Sequence, residues 1–278
     1  MNTDRPNGPT TRRRAVLAAA AALTSSFVLA AGPGVMAADE DRSVVATTEV
    51  LGSLVSQLVG DAAEVTVIMP SGANPHSYEP SARDAERILG AEVIVSNGLE
   101  LEEALLTVLE SAASDGATWF QAAEHITVRE LETAGDAEHH ADEGDHEHDH
   151  GAEDPHIWTD PLAMRDVVLA LGPVLEEAGI AVGDGASDLA DELVALDATV
   201  AAILATVADE DRKLVTGHRS LGYFADRYGF APIGTVIPSL STSGEPTARE
   251  LAQLIEDIKA NEVRAVFAEV GTPQAVAE

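Results

Sequence analysis

Short apolar, β-branched runs alternate with amphipathic segments along most of this chain. Residues 43–48, 64–69 and 92–96 have the composition of buried strands. Between them, residues 51–59 and 81–89 place apolar side chains at helical spacing, and Ser81 suits the N-cap of the second helix. A further helix is predicted over 102–111. Strict β-α repetition of this kind predicts an α/β fold in which a parallel sheet is flanked by helices. Residues 161–177 read as a helix. Residues 186–207 keep Leu, Val and Ile three and four residues apart over roughly six turns, long enough to bridge two lobes. A second series follows: strand 213–216, helix 220–228, strand 233–237, helix 247–260 and strand 264–268. Thr272 and Pro273 look like another helix start, yet only residues 274–278 remain. The second lobe is therefore expected to be incomplete.

The segment ahead of the first strand reads as a targeting signal. Arg12, Arg13 and Arg14 precede an apolar run over 15–31, too short for a comfortable membrane span but suited to a signal-peptide core. Val35-Met36-Ala37 predicts cleavage near Ala37 and an exported product, by the general or the twin-arginine route. The expected organisation is a signal peptide at 1–37, a first lobe at 38–185, a bridging helix at 186–208 and a second lobe at 209–278.

Cysteine is absent, which excludes disulfides, thiolate metal ligands and a cysteine-linked lipid anchor. Any metal ligands must be imidazole or carboxylate, and the exported chain is expected to be a soluble monomer without a direct membrane anchor. The formal net charge is −32, and removing the signal's four basic residues and one acid takes it to −35. Such a surface repels nucleic acid and anionic lipid and attracts cations.

The nine histidines fall into groups. His139, His140, His146, His148 and His150 lie in a segment over 135–151 that also holds seven acids and almost nothing to bury, so a loop with weak metal sites is expected. His76, His156 and His218 lie instead in turns marked by Gly or Pro. His76 and His218 each follow a predicted strand, one in each lobe, at the sheet edge where open α/β folds bind ligands. His125 has no supporting neighbours and reads as structural. Three imidazoles in a cysteine-free site favour Zn2+, with Mn2+ preferring oxygen donors. A fourth ligand, carboxylate or water, is expected. Asp154, Glu79 and Glu269 are candidates to orient an imidazole.

The ordered motifs Asn74–Pro80 (NPHSYEP), the histidine-rich acidic segment, Asp154–Trp158 (DPHIW), Thr216–His218 (TGH) and Gly222–Gly229 (GYFADRYG) resemble the ZnuA/TroA-like solute-binding proteins of metal ABC transporters. The resemblance spans residues 43–278. It implies two Rossmann-like β-α lobes joined by one long helix, with the metal between them. It also implies ligands at His76, His156 and His218, with the third histidine favouring zinc over manganese. The family's fourth ligand, an Asp or Glu, would fall beyond the last residue here. A membrane permease and an ATPase are the implied partners, and the location is periplasmic or extracellular. A secreted zinc buffer or adhesin is the alternative role. A three-histidine zinc enzyme would also need a general base, and no His-Glu-x-x-His element is present.

Overall fold

The computed structural model describes residues 42–130, 153–242 and 244–268. The expected signal peptide, the histidines at 139–150 and Glu269 lie outside the described residues.

The first lobe is a four-stranded, fully parallel sheet in the order β2-β1-β3-β4, formed by β1 (Ser43–Ala46), β2 (Glu64–Val67), β3 (Val93–Ser96) and β4 (Thr118–Gln121). Strand side chains alternate between faces, so each face builds its own core. Val44, Ala46, Val93 and Val95 pack with Leu51, Val55 and Leu58 of α1 (Glu49–Val59) and Val167, Val168 and Leu171 of α4 (Pro161–Glu177). Val45 and Ile94 pack on the other face with Ile88 of α2 (Ala82–Leu89) and Leu109 of α3 (Leu106–Ser114). Gly52 lets α1 lie close to the sheet, since a Cβ there would fall 2.3 Å from Val67 Cγ2.

Two departures from the sequence pattern have local causes. β4 went unpredicted because its sequence, Thr118-Trp119-Phe120-Gln121, holds no Val or Ile and only Phe120 within it is fully buried. The predicted helix from residue 102 begins later, as a 3-10 turn over Glu103–Leu105 that runs into α3. Glu102 turns inward instead, where its carboxylate accepts from the backbone N–H of Asn97 (2.7 Å) and from Thr47 Oγ1 (2.5 Å).

The long helix α5 (Gly185–Leu204) lies against α4 and α1, and a Cβ on Gly172 of α4 would fall 2.9 Å from that of Ala186. Leu189, Ala190 and Leu193 are buried, whereas Val194, Leu196 and Ile203 are exposed. Beyond it come β5 (Lys213–Thr216), α6 (Gly222–Tyr228), β6 (Ala231–Thr235) and α7 (Ala248–Ala260). α6 is tied to α5 by the Tyr228 hydroxyl, which donates to Asp197 Oδ1 (3.0 Å), and Arg227 pairs with Asp160 at the start of α4.

β5 and β6 pair in parallel, and Phe267 forms a parallel bridge to Thr216 on the other edge of β5. The sixth strand starts two residues earlier than its apolar pattern suggests. The pairing carries a register shift at Leu214/Val215, and Val236 and Ile237 still donate to the carbonyls of Thr216 and Gly217 past the strand end. The predicted strand 264–268 contributes that single bridge among the described residues. No described helix is long and apolar enough to cross a membrane.

Candidate metal centre

His76, His156 and His218 converge. Among the described residues they form a group whose possible ligand atoms lie within 4.8 Å of one another. His156 Nε2 lies 3.1 Å from His76 Nε2 and 3.0 Å from His218 Nε2. Two nitrogens bound to one tetrahedral zinc at its usual bond length stand about 3.3 Å apart, so this spacing fits with little adjustment.

Each histidine reaches the group from a different element. His76 sits in a 3-10 turn over Pro75–Ser77, in the connection from β2 to α2, with Asn74 Oδ1 accepting from its backbone N–H (3.1 Å). Proline at the start of that turn supplies a φ already suited to it. The Asn74 amide also donates across to Thr242 Oγ1 in the second lobe (2.7 Å). His218 follows β5 directly, its carbonyl accepting from Thr216 Oγ1 and from Ser220 N–H. It is buried, as is His156, which is 1% exposed.

Asp154 fixes His156. Its Oδ1 accepts both from the His156 backbone N–H (3.0 Å) and from ring Nδ1 (2.7 Å). An ionised carboxylate only accepts, so beside one Nδ1 carries a proton, and Nε2 is the nitrogen turned to the other two histidines. The neutral ring protonated at Nδ1 is the tautomer that binds a metal through Nε2, and a carboxylate behind a ligating imidazole raises its basicity. Asp154 is wholly buried, and its second oxygen faces Arg129 Nη1 at 3.4 Å.

Of the other candidate partners, Glu79 is exposed and joins none of the three imidazoles. His125 is exposed and stacks on Phe120 with ring centroids 4.3 Å apart. Trp158 meets the His156 ring edge-on at 5.3 Å.

Sequence reasoning missed the support beneath His156. The Asn97 side-chain amide donates to the carbonyl of Pro155 (2.8 Å), the residue before the histidine. Asn97 is held in turn by Glu102, and the turn between them passes through Leu99 and Glu100, both at positive φ (54° and 55°). Asn97-Gly98 after a strand was the available signal, since that pair marks a tight turn.

Burial pushes the Glu102 carboxyl above the usual carboxylate range, although Thr47 and the backbone amides around Asn97 and Gly98 pull the other way. The folded protein therefore holds a proton there that the unfolded chain has released, and this contribution to stability is lost as pH rises from about 4.5 through the folded value. In Glu102→Gln that slope should vanish. Denaturant midpoints of wild type and variant between pH 4 and 8 check it, and parallel pH profiles would contradict it.

Comparison with known proteins supplies the family. Residues 44–278 match the model of the family described as ZnuA, zinc-uptake complex component A, periplasmic. The manganese-binding lipoprotein MntA of Bacillus subtilis is 28% identical over 237 residues, which cover 84% of this chain and 72% of that protein. The zinc-binding lipoprotein AdcA of Streptococcus pneumoniae is 29% identical over 253 residues, covering 86% of this chain and 47% of AdcA. Among solved structures, the periplasmic zinc-binding protein TroA of Treponema pallidum superposes with a TM-score of 0.69 at 25% identity, over 85% of this chain and 82% of TroA. The long match, the two-lobed parallel α/β fold and the relatives' shared metal binding lead to one assignment: this chain belongs to the ZnuA family of metal-binding receptor proteins.

Proposed function

We propose that this chain is an extracytoplasmic receptor that captures Zn2+ between its two lobes and delivers it to a membrane permease and its ATPase. The observation that carries the reading is the convergence of three imidazole nitrogens, 3.0 and 3.1 Å apart around His156. His76 and His156 come from the first lobe and His218 from the second, so capture depends on both. Relatives bear zinc and manganese in their names, so the family leaves the metal open. The donors favour zinc: all three in the described group are imidazoles, and none is a carboxylate of the kind manganese prefers. A net charge of −32 raises the local concentration of any cation.

In this reading the five histidines at 139–150 are weaker, additional zinc ligands that supply the main site. Calorimetry on the exported chain, with and without residues 135–151, tests the proposal. One tight zinc should persist after the deletion while weaker equivalents disappear, and manganese should bind less tightly than zinc. Loss of all tight binding on deletion would refute the three-histidine site.

A further inference from the structure

We propose that Tyr223 is a positioning residue for metal binding: through its hydroxyl, the second lobe holds Asp154 and thereby His156 in the orientation that ligates. The inference rests on the receptor reading and adds a second route by which the second lobe acts on the site.

The Tyr223 hydroxyl donates to the Asp154 carbonyl (3.0 Å) and accepts from the Arg129 backbone N–H (2.9 Å). It thus ties the first turn of α6 to Asp154, which braces His156, and to Arg129, which faces the Asp154 carboxylate. Arg129 spans the same junction, with Nη1 facing Asp154 Oδ2 and Nε donating to Asp226 Oδ2 of α6 (2.6 Å). The fit is close: a Cβ on Gly222 would stand 2.4 Å from Asp154 Oδ2 and 2.6 Å from Arg129 Nη1. Tyr223 is itself 7% exposed, so its two backbone partners have little water to replace it.

The segment 218–223 therefore reaches the site twice. His218 offers its own ring, and five residues on Tyr223 steadies the aspartate behind a second ring. If the lobes separate at α6, His218 is withdrawn and Asp154, which orients His156, loses its Tyr223 hydrogen bond in the same step. Two of three ligands weaken together, so release should be faster than the loss of His218 alone would make it.

Tyr223→Phe removes the hydroxyl and keeps the ring. Tyr228→Phe is the matched control, because that hydroxyl also lies on α6 but bonds Asp197, away from the histidines. Zinc affinity would be measured against a chromophoric chelator, the release rate by stopped flow, and site geometry from the visible spectrum of the Co2+-loaded protein. Tyr223→Phe should bind about tenfold more weakly, mainly through faster release, with an altered cobalt spectrum. Tyr228→Phe should match wild type in all three.

Equal affinity for Tyr223→Phe and wild type, or equal weakening in the two variants, would overturn the proposal. Absence of tight zinc binding in wild type would overturn the receptor reading and this inference with it. Should Tyr223→Phe fail to fold, Gly222→Ala displaces Asp154 directly, and wild-type affinity in that variant would count against the proposal.

Discussion

Replacing His156 with alanine is expected to lower zinc affinity by about a hundredfold or more. Zinc bound by four protein ligands is worth about 10–16 kcal/mol, or roughly 3 kcal/mol per ligand, and each 1.4 kcal/mol is a factor of ten. His156 has the most central position, its Nε2 lying within 3.1 Å of both partner nitrogens. Truncation also takes the ring partner from Asp154, which is fully buried and would keep only the backbone N–H of residue 156 and the longer contact to Arg129. Chelator competition reads the affinity. Thermal melting adds a second readout, because zinc at a hundred times its dissociation constant should stabilise wild type by about 2.7 kcal/mol and the variant far less. A variant that binds zinc as wild type does would remove His156 from the site.

Asp154→Asn should have the next largest effect, a loss of about 10–100-fold in zinc affinity. The change keeps the volume. It removes the negative charge behind the imidazole, and no orientation of an amide serves both of the carboxylate's partners. With its oxygen toward His156, its NH2 faces Arg129; reversed, it faces the Nδ1–H that the carboxylate now accepts. The same chelator competition measures it, with denaturant unfolding of the metal-free protein to separate a stability loss from an affinity loss. Unchanged affinity would mean that the carboxylate serves only the fold.

The three histidines were legible in the sequence because each sits in a turn punctuated by Pro or Gly beside a strand or helix start. In an open α/β fold that position already implies the ligand edge of a sheet. Asp154 was legible as a neighbour of His156, though not as its partner over Glu79. The fold class followed from the alternation of buried runs and amphipathic segments. What the pattern did not carry was tertiary in origin. Glu102 has the composition of a helix start, but the carboxylate is drawn inward by Thr47 and Asn97, and the helix starts later. β4 lacks the β-branched run that marks the other strands, and β6 takes in Ala231 and Pro232, whose place in the strand only the pairing with β5 reveals. The brace formed by Arg129 and Tyr223 joins residues 94 positions apart, which no local pattern can report.

The most direct test of the central claim is anomalous diffraction at the zinc edge from crystals of the zinc-loaded protein. The account predicts one strong peak within about 2.0–2.1 Å of the Nε2 atoms of His76, His156 and His218. A dominant peak elsewhere, with those three nitrogens beyond bonding distance of any metal, would contradict it.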